Sequence, residues 1–148
     1  MVDESGIPVV YVISDSLGET AEMVVRAAAA QFDGSRAEIY RIAYVNTVSH
    51  LEEIIEEAAQ KKAIIAYTVV MPELNKKLVE LVGQRNIPAV DVLGPMIEAI
   101  ASRSDIKPKM QAGLLWQSEE HYFRRVEAIE FAVKYDDLVA YVDVRCSV

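Results

Sequence analysis

The chain reads as an α/β protein: a three-layer arrangement in which a parallel sheet of about four strands is flanked by helices. Three observations predict it. Short runs of β-branched and aromatic residues alternate with longer segments whose apolar residues recur at helical spacing. The central runs are apolar throughout rather than at every second residue, as in strands buried on both faces of a parallel sheet. The runs also end in small polar residues, Pro or Gly, the punctuation of a strand-to-helix turn. Strict alternation calls for right-handed crossovers with helices on both faces, a Rossmann-like or flavodoxin-like arrangement.

The first run, Val9-Val10-Tyr11-Val12-Ile13, breaks into Ser14-Asp15-Ser16-Leu17-Gly18-Glu19-Thr20. Ala21, Val24, Val25, Ala28, Ala29 and Phe32 then give a helix one apolar face to lay on the sheet. Ser16 and Glu19 have capping-box spacing, in which the hydroxyl takes one orphan amide and the carboxylate returns to another. Gly18 allows a backbone turn or close approach that a Cβ would block. A helix N-terminus at the carboxyl end of a parallel strand can hold an anion, although the same residues also serve as ordinary turn and cap residues. Asp33-Gly34-Ser35 is a turn, and Ala37 to Tyr44 is the second strand. Ser49 and Glu52 repeat the capping-box spacing ahead of a helix whose buried stripe is Leu51, Ile54, Ile55 and Ala58, closed by Lys61-Lys62.

Ala63 to Val70 is the third strand. Pro72 suits the first turn of the next helix, whose Leu74, Leu78, Leu81 and Val82 face inward and whose C-terminus Gly83 would cap. Ile87 to Val92 gives a short fourth strand, with Pro88 confined to its start or to a sheet edge. Gly94-Pro95 opens a fourth helix carrying Met96, Ile97 and Ile100. From Ser102 to Gly113 the pattern lapses into an exposed connection; from about Ser118 a fifth helix follows with the stripe Tyr122, Val126, Ile129 and Val133. Leu138 to Val148 has strand-like composition and no turn or helix after it, so Leu138 to Val144 needs cover within the domain or from a second copy, a homo-oligomer. The expected organisation is a parallel α/β domain over 1–103, a connection and fifth helix over 104–137, and an atypical tail over 138–148.

At 148 residues and 52% apolar content the chain has the size and composition of one folded domain. A net charge of −8 without a basic cluster argues against nucleic acid. Asp3 and Glu4 precede a short apolar run, which is not a signal peptide, and no run approaches a membrane span; the expected location is cytoplasmic. Cys146 has no disulfide partner, and His50 and His121 are too few for a zinc site, so no metal is expected.

The sequence holds neither a Gly-x-x-x-x-Gly-Lys-Ser/Thr loop nor a Gly-x-Gly-x-x-Gly turn. Ser14 to Thr20 resembles the hydroxyl-rich phosphate loop of flavodoxins with one extra residue before the glycine, and Tyr44, Tyr67 and Trp116 offer aromatic walls, which makes flavin mononucleotide an alternative ligand. The charged residues from Glu119 to Asp137 include His121, but their helical spacing fits a solvated face better than a set of acid-base groups.

Val10 to Glu22, together with Tyr122-Phe123-Arg124-Arg125-Val126-Glu127-Ala128-Ile129-Glu130-Phe131-Ala132-Val133-Lys134-Tyr135-Asp136-Asp137, resembles the pyruvate, phosphate dikinase regulatory protein family. The second block is similar to the Gram-positive branch more than to the phosphoenolpyruvate synthase regulatory branch. The resemblance runs from about Pro8 to Asp137, through Ala63 to Pro72 and Asp91 to Pro95. It implies a bifunctional enzyme: an ADP-dependent serine/threonine protein kinase that phosphorylates a threonine of pyruvate, phosphate dikinase, and a phosphate-dependent phosphorylase that removes it with release of pyrophosphate. ADP and phosphate are the implied cofactors and the dikinase the implied partner. The family continues after the Asp-Asp pair with glycine and a second domain bearing a P-loop of the type Gly-Val-Ser-Arg-Thr-Ser-Lys-Thr. Here Asp137 runs instead into Leu138 to Val148, as in a front half truncated or frame-shifted after Asp137, and such a chain alone is expected to be inactive. The resemblance makes Ser14, Asp15, Ser16, Gly18, Glu19 and Thr20, with Arg124 and Arg125, the candidates for phosphate or partner binding. Guanidinium forks suit phosphate oxygens, although surface ion pairing accounts for the same arginines.

Overall fold

A computed structural model describes residues 6–34 and 36–117. Strands β1 (Val9–Ser14), β2 (Glu38–Ile42), β3 (Ile64–Thr68) and β4 (Ala89–Asp91) alternate with helices α1 (Glu19–Ala29), α2 (Val48–Gln60), α3 (Pro72–Arg85) and α4 (Gly94–Ala101). The sheet order is β2-β1-β3-β4 and every pairing is parallel, so the α/β class expected from the sequence is the class observed. A short helix, α5 (Leu114–Gln117), belongs to a separate unit beginning at Gly113. The fifth helix expected from Ser118, with Arg124 and Arg125, and the tail over 138–148 lie outside the described residues.

All six residues of β1 are buried, as its uninterrupted apolar run requires. The pleat sends Val9, Tyr11 and Ile13 into a core with Leu51 and Ile55 of α2, Ile65 and Tyr67 of β3, and Leu74 and Leu78 of α3. Val10 and Val12 point the other way, against Ala21 of α1 and Ala66 of β3. Helices α2 and α3 therefore share one face, and α1 lies on the other. That second face is thinly covered. Of the stripe expected to pack from α1, Ala21 is buried and Val25 half-buried, while Val24 and Phe32 are exposed. Beside α1 runs an apolar cleft of about 590 Å³, lined by Val24, Ala28, Phe32, Ile64, Val90 and Val92 among others.

The ends of elements differ from expectation for local reasons. β2 stops at Ile42 rather than Tyr44 because Tyr44 takes a left-handed backbone (φ 56°), and its amide donates to the Ser16 carbonyl. α1 begins after Gly18 (φ 84°) and has no side-chain cap, so the Ser16–Glu19 capping box does not form: Glu19 is the first helical residue, not the third. In α2 the cap is Thr47, whose hydroxyl accepts the His50 amide at 3.2 Å, two residues ahead of the expected Ser49. α3 runs through Gly83 and ends at Arg85, where Asn86 supplies the left-handed turn (φ 53°) expected of Gly83.

Candidate functional site

Leaving β1, the chain moves outward to β2, then crosses back over β1 to β3 and on to β4. The connections after β1 and β3 thus diverge from a shared point at the carboxyl ends of the strands, the topological switch point where open α/β sheets leave a crevice. The buried polar side chains among the described residues are Ser14, Asp15 and Thr68, and all three sit there. Buried polar groups must be hydrogen-bonded to be tolerated, and these bond to one another's loops.

Ser14 and Thr68 face each other in the β1–β3 register. The Thr68 hydroxyl donates to Ser14 Oγ at 2.9 Å, Ser14 Oγ donates to the Thr68 carbonyl at 3.3 Å, and the Ser16 amide donates to Ser14 Oγ at 3.0 Å. Asp15 reaches across the crevice, and its Oδ2 accepts the amides of Val70 at 2.8 Å and Met71 at 2.9 Å. Met71 precedes α3 and offers no capping side chain, so this carboxylate places its negative charge where the helix dipole favours one. Val45 donates its amide to the Ser14 carbonyl at 2.9 Å, tying the segment after β2 to the same point.

With Ser14 and Asp15 engaged, the outward part of the loop is Ser16, half-buried, and Glu19 and Thr20, exposed in the first turn of α1. Gly18 is buried, and a Cβ there would come within 3.2 Å of Arg41 Cγ and 3.3 Å of Arg41 Cδ. Arg41 of β2 is thus the cation brought over the loop; its Nη1 lies 3.5 Å from Glu22 Oε1 on α1. The sequence reading did not nominate Arg41. A charged residue inside the apolar run from Ile39 to Ile42 was the available signal.

Next to the switch point, Asp91 at the end of β4 accepts the amide of Gly94, the first residue of α4, at 2.8 Å. A Cβ at position 94 would run into the Asp91 carboxylate, so any larger residue there has to push that side chain off the Gly94 amide. Burial first, and then the Asp91 charge, push the Tyr67 phenol up from its ordinary value. A smaller cleft of about 260 Å³, lined by Val70, Asn75, Lys76, Asp91, Glu98 and Met110 among others, opens beside it. Among the described residues no group of three or more His, Cys, Asp or Glu could hold a metal ion. Nor is any helix among them long and apolar enough to cross a membrane. The arrangement suits binding and positioning more than proton transfer, since the buried hydroxyls are spent on backbone and on each other.

The family model described as kinase/pyrophosphorylase matches residues 10–145, from β1 through the switch-point loops and on past Asp137. The chain belongs to the kinase/pyrophosphorylase family. Within that family it is 50% identical over 130 residues to a provisionally named pyruvate, phosphate dikinase regulatory protein of Halalkalibacterium halodurans, a match covering 88% of this chain and 48% of the relative. It is 52% identical over 131 residues to a protein with the same provisional name, numbered 2, from Syntrophomonas wolfei, again 88% of this chain and 48% of the relative. A third such relative, from Carboxydothermus hydrogenoformans, is 47% identical over 131 residues. The chain therefore spans about half the length of these kinase/pyrophosphorylase relatives. Neither the family match nor these relatives support the flavin alternative.

Proposed function

We propose that this chain is the switch-point half of a regulator of pyruvate, phosphate dikinase, acting with a P-loop half as an ADP-dependent serine/threonine kinase and phosphate-dependent phosphorylase. The observation that carries the reading is the family match over residues 10–145, which takes in every loop of the crevice described above. Phosphoryl transfer is mostly positioning and charge neutralisation, so the chemistry divides naturally between a nucleotide cradle and a surface that presents the acceptor threonine. In this reading Ser16, Glu19 and Thr20, with the amides opened by Gly18, contact the dikinase or its phosphothreonine, while Ser14 and Asp15 hold the loop in shape. Arg124 and Arg125 remain candidates, by the same resemblance, for pairing with an anionic phosphothreonine or phosphohistidine of the partner, and ADP and inorganic phosphate are the cosubstrates of the paired halves.

The 148-residue sequence contains no Gly-x-x-x-x-Gly-Lys-Ser/Thr pattern, and alone it docks on the dikinase without transferring phosphate. Calorimetric titration of the purified chain into the dikinase, followed by incubation with ADP radiolabelled in its β-phosphate, tests both parts. A saturable complex with no label on the dikinase is expected. Absence of a complex would overturn the docking reading, and labelled threonine would overturn the division of labour.

A further inference from the structure

We infer that Asp15 is a positioning residue that makes the two loops of the switch-point crevice respond as one piece, so that an anion held by the β1–α1 loop is registered at the start of α3. The inference rests on the proposed phosphate contact at Ser16 to Thr20 and goes beyond it in assigning Asp15 a role distinct from ligand binding. Asp15 lies 55 and 56 residues from the amides it accepts, so its carboxylate is a tertiary strut and not a local turn. It is 8% exposed, with Oδ2 shared by two consecutive amides, which fixes the carboxylate in position and direction. α3 has neither a capping side chain of its own nor a second acidic residue in its first turn besides Glu73, so Asp15 is the group that meets the Val70 and Met71 amides. The hydroxyl-mediated links beside it are short: the Ser16 amide donates to Ser14 Oγ, and the Thr68 hydroxyl, two residues before Val70, donates to the same Oγ. A shift of the β1–α1 loop toward an anion therefore has a stiff route to α3, through Asp15 and the Ser14–Thr68 pair. The Asp15 branch alone reaches the Val70 and Met71 amides.

The test follows backbone amide resonances of the 148-residue chain during titration with inorganic phosphate, in the native protein and in Asp15→Asn and Asp15→Ala. Asparagine keeps an oxygen acceptor at nearly the same place; alanine keeps none. In the native protein phosphate should shift Ser16 to Thr20 and also Val70 and Met71. Asp15→Asn should retain both sets, with the second diminished, and Asp15→Ala should keep the first and lose the second. Exchange of the Val70 and Met71 amides should rise by at least about tenfold in Asp15→Ala. A purely structural role would lower the melting temperature of Asp15→Ala without separating the two sets of shifts. Shifts at Ser16 to Thr20 alone in the native protein, or undiminished shifts at Val70 and Met71 in Asp15→Ala, would overturn the inference while leaving phosphate binding intact. No shift at either loop would remove the phosphate contact and the inference with it.

Discussion

Replacing glycine by alanine at positions 18 and 83 makes the same chemical change just before one helix and inside another, and the structure gives it opposite signs. Gly18 has φ 84°, where an L-residue costs roughly 1–2 kcal/mol. Its new methyl would also stand 3.2 Å from Arg41 Cγ and 3.4 Å from Ser14 Cβ. The Arg41 side chain is 41% exposed and can swing aside, so the contact adds only a few tenths of a kcal/mol, roughly, and loosens the Arg41–Glu22 pair. The sum is about 1–2 kcal/mol of destabilisation, or about 3–8 °C in Tm for a domain of this size. Gly83 lies within α3, exposed, with nothing within 4 Å of a built Cβ. Alanine there restricts the unfolded chain and suits the helix, a gain of about 0.5–1 kcal/mol and about 2–4 °C. Thermal melts followed by circular dichroism at 222 nm, an ordinary helix wavelength, read both variants in one experiment. Destabilisation by Gly83→Ala would mean that Gly83, and not Asn86, makes the turn that ends α3. An unchanged Tm in Gly18→Ala would refute the left-handed entry into α1 on which the site geometry depends.

Further outcomes follow from the core and its charges. Leu78→Ala empties a fully buried position between α3 and the sheet and should cost about 2–5 kcal/mol in urea unfolding, with little change in m-value; a cost below 1 kcal/mol, roughly, would contradict the packing of α3 on that face. The Tyr11 phenol donates to Glu57 Oε2 at 2.5 Å, and burial, followed by Glu57, raises its ionisation well above the ordinary phenol range. The neutral phenol is the form favoured in the fold, so its contribution is complete below the unfolded value of about 10 and is lost as pH climbs through the raised one. Tyr11→Phe should therefore cost about 1–2 kcal/mol at neutral pH and flatten the alkaline fall in stability. Glu56 bonds to Arg85, and that bond holds its carboxyl below the ordinary glutamate value. A lowered carboxyl contributes stability above the unfolded value and loses it as pH falls through the folded one, so Arg85→Ala should return the Glu56 titration upward by NMR. An unmoved titration would show that the pair is not populated in solution.

The strands were the most legible part of the chain because their apolar runs state burial directly. β1 is buried at every position, and Val9 to Ile13 contains no polar residue. Helix stripes were legible where a sheet face receives them, as for Leu51, Ile54, Ile55 and Ala58; on α1 the same periodicity overstated burial, because it reports neither whether a neighbour covers Val24 nor that the helix ends at Ala29, short of Phe32. The caps lie two or three residues from where spacing puts them. Ser49 and Glu52 satisfy the spacing, but Thr47 has the extended backbone that a cap requires, a property of dihedrals that spacing does not encode. Ser14 to Thr20 was found as a candidate from its chemistry, whereas the division of that loop into Ser14 and Asp15, which hold, and Ser16, Glu19 and Thr20, which face outward, depends on Thr68, Val70 and Met71 more than fifty residues away. Arg41 escaped for the same reason, since its place over Gly18 is fixed by the β1–β2 register.

Site-specific photocrosslinking asks whether the switch-point loop is the surface offered to the dikinase, as proposed. A photoreactive residue would be placed at Thr20, in the exposed first turn of α1, and for comparison at Val79, exposed on α3. Each labelled chain is mixed with the dikinase, irradiated and analysed by peptide mass spectrometry. A crosslink from Thr20 to the dikinase segment bearing the target threonine, and none from Val79, is the expected result. Crosslinking from Val79 alone, or equally from both positions, would contradict it.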